Sequence, residues 1–237
     1  MKVEINPVYN HLSSFIKSIP SKFDSLGTII YQARNTLRLI EVGGLPLVVK
    51  RFKRAHIINR FIYGTFRSSK AERSYINAVK LLEKGVNTPI PVGYIEEYKF
   101  GLRYSYYITL KASFAHEIRE FCDMEDVEPY SNILEAFGLF TARLHNKEVI
   151  HVDYSPGNIL FDFIHNKPVF TVVDINRLRF GKLTEEQSYH NLRRLWLTDQ
   201  AYTIIARSYA KGRGFDEEKA IERILYHKNK FMANRYK

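Results

Sequence analysis

Residues 151–160 read HVDYSPGNIL, and further on residues 170–180 read FTVVDINRLRF. In the first stretch Asp153 and Asn158 lie five residues apart in a polar loop, with the turn formers Ser155-Pro156-Gly157 between them. In the second, Asp174 closes an apolar strand, and a carboxylate after Val172-Val173 is costly to bury without a partner. The residues between predict a hairpin: NILFDFI, a turn at His165-Asn166-Lys167, then PVFTVVDI. Upstream, Ile133, Phe137, Phe140 and Leu144 recur on one stripe and predict a helix over 131–146. Downstream, roughly 184–232 is mostly helical in character, with Trp196, Tyr202, Ile205 and Tyr209 spaced for burial. The C-terminal part is therefore mainly helical.

Outward in the other direction the pattern is strand-rich. Residues 28–53 divide into TIIYQARN, TLRLIEV and LPLVVKRF, and Gly43-Gly44 marks a hairpin turn between the last two. Residues 69–84 predict a helix: Ser69 with Glu72 fits a capping box, and Ile76 and Val79 continue a face from Glu72. Gly85 stops it, Asn87–Pro91 is an extended connector, and 92–96 and 104–110 read as two more strands. The expected organisation is α+β, with a small antiparallel-sheet lobe at 1–111 and a helical lobe at 112–237. The boundary falls near Leu110 to Phe114.

Composition bounds the rest. The chain has 237 residues, 45% hydrophobic and 14% aromatic, enough to bury a core and too apolar for a disordered chain. No apolar run approaches the roughly 20 residues that cross a bilayer, and the N-terminus lacks the apolar core of a secretory signal. One cysteine, Cys122, fits a reducing compartment, so a cytoplasmic protein is expected. No internal repeat or low-complexity tract is present. Lys plus Arg number 36 against 25 Asp plus Glu, a net charge of +11, which implies an anionic partner. Eight of the basic residues lie between Lys50 and Arg73, where the one acid is Glu72.

Four features stand in a meaningful order: Lys50 at the end of a strand, Glu72 in the next helix, Asp153 with Asn158 in a loop, and Asp174 at a strand end. Phosphoryl transfer from ATP needs such a set. A fixed cation holds the phosphates, a carboxylate fixes that cation, and hard oxygens hold magnesium. A further carboxylate orients the acceptor hydroxyl. Each residue alone has a plainer reading. Lys50 could be a solvated strand terminus, Glu72 only a capping carboxylate, and Asp153 and Asn158 turn residues. Asp174 could simply end a strand, and His151 could be packed structure. The order and spacing together match the protein-kinase template.

HVDYSPGNIL followed by FTVVDINRLRF resembles the kinase-like superfamily, and most closely the lipopolysaccharide core kinases that phosphorylate Kdo or heptose. KAERSYINAVKLLEKGVNTPIPVGY, with its GVxTPxP-type ending, is similar to that family too. The resemblance covers roughly residues 28–200 and implies a bilobal protein-kinase-like fold, ATP with Mg2+, and a sugar hydroxyl as acceptor. It implies that Lys50 contacts phosphates and Glu72 pairs with it, that Asp153 is the catalytic carboxylate, and that Asn158 and Asp174 bind magnesium. The family's acceptor is an acidic glycolipid in the cytoplasmic leaflet of the inner membrane, so peripheral contact with an anionic surface is also implied.

The sequence departs from protein kinases at three places. The turn YQARNTLR has no glycine, so Arg34, Asn35 and Thr36 offer polar side chains there instead. D-F-G is replaced by Asp174-Ile175-Asn176, and no A-P-E motif follows. Arg177 and Arg179, just past the metal carboxylate, suit an acceptor bearing carboxylates or phosphates. A pseudokinase without turnover and a kinase of another small metabolite are the rival readings. Nucleic-acid binding ranks last, since no RNP-type signature is present.

Overall fold

The computed structural model describes residues 1–52, 68–99 and 101–234. The chain divides into two compact units, Met1–Glu83 with Thr88–Ser113, and Lys84–Asn87 with Phe114–Lys237. Lys53, Arg54, Arg60 and Arg67 of the basic run lie outside the described residues.

The first unit comprises β1 (Lys2–Ile5), α1 (Ser13–Lys22), β2 (Thr28–Gln32), β3 (Thr36–Val42), β4 (Leu45–Phe52), α2 (Lys70–Glu83), β5 (Pro91–Tyr98) and β6 (Leu102–Leu110). Its six strands form an antiparallel sheet in the order β1-β5-β6-β4-β3-β2. Gly43 and Gly44, at φ 59° and 75°, make the two-residue turn that sets Val42 opposite Leu45. Strand periodicity then separates the faces of β4. Leu47 and Val49 are fully buried in a cluster with Ile16, Ile19 and Phe23 from the N-terminal segment, while Val48, Lys50 and Phe52 take the other face. Burying each large apolar side chain is worth about 1.5–3 kcal/mol, so α1 is a principal support of this sheet. The sequence carries no expectation for α1, because Pro20 sits inside it and breaks the helical signal.

Helix α2 forms within one residue of its expected limits, and Ser69 Oγ accepts the Glu72 amide at 3.1 Å as its cap. The expected apolar stripe is corrected. Ile76 is 40% exposed, and the buried face is Ala71, Ser74, Asn77, Ala78 and Leu81. The helix packs beside β5 and β6, which carry Tyr94 and Tyr107. Small helical residues let it approach strands already crowded with rings.

The second unit comprises β7 (His116–Glu117), α3 (Ser131–Asn146), β8 (Val149–His151), β9 (Ile159–Ile164), β10 (Lys167–Val172), β11 (Leu178–Phe180), α4 (Glu185–Asn191), α5 (Asp199–Arg213) and α6 (Glu217–Ala233). The strands pair as β10-β9-β7 and β11-β8. Helix α3 has its expected limits, and Ile133, Phe137, Phe140 and Leu144 are all buried. Phe137 and Phe140 meet Phe170 of the hairpin at 5.7 and 5.2 Å between ring centroids. His165 and Asn166 both adopt positive φ at the hairpin tip, the primed-turn geometry that matches strand twist. Tyr202, Ile205 and Tyr209 are fully buried, but Trp196 is not: it is 38% exposed and precedes α5 at φ 55°. Helical spacing cannot place a residue that lies outside the helix.

Candidate active site

In the first unit, register aligns the relevant side chains. Lys50 on β4 lies opposite Tyr107 on β6, and Tyr107 lies opposite Tyr94 on β5. Opposed residues of an antiparallel pair share a face, so Lys50, Tyr107 and Tyr94 form one row. Lys50 Nζ stands 5.2 Å from the Phe52 ring centroid. At the row's end the Tyr94 hydroxyl donates to Glu72 Oε1 at 3.1 Å. Glu72 thus reaches the face that carries Lys50, but its ion pair is with Lys2, at 2.5 Å, and not with Lys50.

The physical reason is the edge strand. Register sets Lys2 opposite Glu96, so β1 presents its lysine to two carboxylates, Glu72 and, at 4.0 Å, Glu96. Partial burial works to raise the Glu72 carboxyl, but the hydrogen bonds of Lys2, Ser68 and Tyr94 outweigh it and hold the group below its ordinary range. The same bond to Glu72 raises Lys2. Arg34 and Asn35 lie in the β2–β3 turn, where the Ala33 amide donates to the Asn35 carbonyl at 3.1 Å, and Thr36 opens β3.

In the second unit the loop after β8 is self-bonded. The Asn158 side-chain amide donates to the Asp153 carbonyl at 2.9 Å and to Ser155 Oγ at 3.0 Å. With Nδ2 so engaged, no hydrogen bond reaches Asn158 Oδ1 among the described residues. The Asn158 carbonyl accepts from Val173 at 3.0 Å, tying the loop to the segment that carries Asp174. Asp174 is left-handed, at φ 55° and ψ 46°, and its Oδ1 accepts from Asn176 at 2.7 Å. Such a conformation in a non-glycine residue costs of the order of 1 kcal/mol or more, and strain of this kind gathers at functional sites. Tyr154, 1% exposed, anchors the loop on α3 through Thr141 at 2.8 Å.

Beneath the loop runs a buried chain of hydrogen bonds. The Asn191 amide nitrogen donates to the His151 carbonyl at 3.1 Å, so Asn191 Oδ1 is left to accept from His145 Nε2, also at 3.1 Å. His145 Nδ1 then accepts from the Tyr209 hydroxyl at 2.7 Å. His151 Nε2 donates to the Val173 carbonyl at 2.9 Å. Donating at Nε2 and accepting at Nδ1, His145 is neutral, and His151 Nδ1 is buried with no hydrogen-bond partner among the described residues. Burial enforces this, lowering His151 and holding His145 down at about 4. A histidine lowered on folding contributes stability that is complete above pH 6.5 and is lost as pH falls towards 4. Over that interval the loss is about 3 kcal/mol for His145. Denaturation midpoints measured from pH 7.5 to 4 should fall less steeply for His145→Gln than for the unchanged protein. Parallel curves would show that His145 is not held neutral.

One residue at this loop escapes sequence reasoning. Arg194 Nη1 binds Asp153 Oδ1 at 2.7 Å, with both side chains about one-third exposed. Its only sequence signal is membership of an arginine pair, which charge counting reads as surface. Arg177 and Arg179 are exposed around the start of β11. No cluster of three or more His, Cys, Asp or Glu arranged for a metal exists among the described residues. An amide oxygen at Asn158 and a carboxylate at Asp174 nevertheless fit magnesium, which takes one or two protein oxygens and completes its shell with water and substrate phosphates.

A six-stranded antiparallel unit bearing a strand lysine, and a helical unit bearing D-x-x-x-x-N and a strand-end aspartate, define a protein-kinase-like phosphotransferase. The sequence model of the lipopolysaccharide kinase (Kdo/WaaP) family matches residues 47–209, more than half of the chain, and the protein belongs to that family. It is thereby a kinase of lipopolysaccharide sugars. A solved structure, WaaP in complex with acyl carrier protein, has a similar fold: TM-score 0.67 at 16% identity, covering 97% of this chain and 98% of the other. The MAP kinase LmaMPK10 from Leishmania major aligns over 90% of this chain and 65% of its own, at 14% identity and a TM-score of 0.42. No curated protein matches the sequence. No helix among the described residues is long and apolar enough to cross a membrane.

Proposed function

We propose that the protein transfers the γ-phosphoryl group of ATP to a hydroxyl of a Kdo or heptose residue in the lipopolysaccharide core. The carrying observation is the loop from Asp153 to Asn158, which on one short segment carries a carboxylate oriented by Arg194 and an amide oxygen that accepts no hydrogen bond among the described residues. In this reading Asp153 accepts the proton of the attacking hydroxyl as the new O–P bond forms and the bond to the β-phosphate oxygen breaks, releasing ADP. Asn158 and Asp174 hold Mg2+, which when bound neutralises charge on the phosphates. Lys50 takes the phosphates, Glu72 steadies Lys50, and Arg34, Asn35 and Thr36 cover the phosphate end in place of glycine. Arg194 keeps Asp153 oriented until substrate arrives. Mass spectrometry of Kdo-lipid A incubated with the protein and Mg-ATP tests this: the glycolipid should gain one phosphoryl group, and an unchanged mass with both Kdo- and heptose-bearing acceptors would refute it.

A second reading, a pseudokinase, is favoured by Glu72 being bound to Lys2 and by the glycine-free turn. It predicts Mg-ATP binding with no transfer in the same assay.

The acceptor's anionic surface also suits this chain. The net charge of +11, with Arg177 and Arg179 exposed, supports contact with the cytoplasmic leaflet, at about 1 kcal/mol per basic residue near it. Binding to anionic vesicles should exceed binding to neutral ones and fade as salt shortens the Debye length below about 8 Å. Equal sedimentation with both vesicle types would rule the contact out.

A further inference from the structure

Arg119 lies in a single 3-10 turn, Ile118–Phe121, between β7 and α3. Ile118 and Phe121 are buried, and Glu117 and Glu120 close a reciprocal capping box around the turn. The backbone is therefore fixed, yet the Arg119 side chain is 69% exposed. Its guanidinium lies on the loop that carries Asp153 and Asn158. A Cβ at Gly157 would stand 1.9 Å from Arg119 Nη2, 2.7 Å from Cζ and 2.9 Å from Nε. Gly157 is not among the positive-φ residues, so its backbone does not demand glycine. What glycine supplies there is room for the guanidinium.

Among the described residues the head group has little to hold. Its ion-pair partner among the described residues is Glu117, 3.5 Å from Nε, on a pair open to solvent and worth little. Neither Nη makes a hydrogen bond among the described residues. A planar fork beside the loop, whose Nη donors make no hydrogen bond among the described residues, is suited to bidentate capture of a carboxylate or phosphate.

We infer that Arg119, seated in the space left by Gly157, binds an oxyanion of the acceptor and so selects acidic acceptors. The inference rests on the kinase reading above and adds a specificity residue to it. Arg119 is next to Asn158 through Gly157 and shares the loop with Asp153, so a carboxylate or phosphate held there fixes the acceptor beside the group that takes its proton. The alternative source of the same chemistry is the nucleotide's own phosphates.

The test combines equilibrium binding of Kdo-lipid A in neutral detergent micelles with transfer kinetics under Mg-ATP. Arg119→Gln should weaken acceptor binding and raise acceptor KM roughly 10- to 100-fold, the scale of one lost charge-assisted bidentate contact. The KM for ATP should stay unchanged. Gly157→Ala, which displaces the guanidinium, should move acceptor KM in the same direction. The double variant should be no worse than Arg119→Gln, because both changes remove one contact. A rise in ATP KM with acceptor KM unchanged would assign the arginine to the nucleotide and overturn the inference. Multiplying effects, or equal micelle binding by the unchanged protein and Arg119→Gln, would overturn it as well. Binding that depends on Arg119 without any transfer would keep the anion site while defeating the kinase reading.

Discussion

Asp153→Ala should abolish most phosphoryl transfer while leaving magnesium-dependent ATP binding nearly intact, whereas Asp174→Ala should lose both. The two carboxylates differ in surroundings. Asp153 is one-third exposed and engaged by Arg194, with its backbone carbonyl tied down by Asn158. In the proposed reading it faces the acceptor hydroxyl. Asp174 stands in strained left-handed geometry at a strand end, beside the carbonyl-anchored Val173. In the proposed reading it is the metal ligand. A positioned base contributes a factor of about 10²–10⁴, so single-turnover transfer by Asp153→Ala should fall by that order. Calorimetric ATP titration with and without magnesium should separate the variants. Full transfer by Asp153→Ala would remove it from the chemistry, and unchanged magnesium dependence in Asp174→Ala would remove the metal assignment.

Local signals made parts of this fold readable and tertiary ones did not. Helix 131–146 was legible because Ile133, Phe137, Phe140 and Leu144 repeat with helical period on a face that is in fact buried. The hairpins were legible because Gly43-Gly44 and His165-Asn166 occupy positive φ, a demand of the chain itself. Helix α1 was not, since Pro20 masks its periodicity and its stability comes from packing on the sheet. On α2 apolar size points to Ile76 and Val79, whereas close approach to the sheet selects Ala71, Ser74 and Ala78 for the buried face. Helical spacing does not reach Trp196, which precedes α5 at positive φ. At the site, Asp153, Asn158 and Asp174 stand in sequence motifs. Lys2, Arg119 and Arg194 act on residues far away in the chain, and no local pattern announces that.

Lys2 makes the behaviour of Glu72 a sharp test. If Glu72 serves Lys50 during turnover, then Lys50→Ala and Glu72→Ala should each lower transfer, by roughly 10²-fold where a preorganised cation is lost. The double variant should be little worse than the more damaged single one, because both remove one coupled pair. In the structure that carboxylate is taken by Lys2 from the edge strand, and β4 and β5 are separated by β6, about 10 Å at the usual strand spacing. Lys2 is half-exposed, so its hold is open to competition from solvent and from a second cation. Lys2→Ala should therefore leave transfer intact or raise it, since it frees the carboxylate for Lys50. A purely structural Glu72 gives the opposite pattern: Lys2→Ala and Glu72→Ala both lower the melting temperature, transfer per folded molecule stays constant, and the effect of Lys50→Ala multiplies with that of Glu72→Ala. Measuring transfer rate and melting temperature on all four variants decides between a carboxylate that changes partners and one that only fastens β1 to α2.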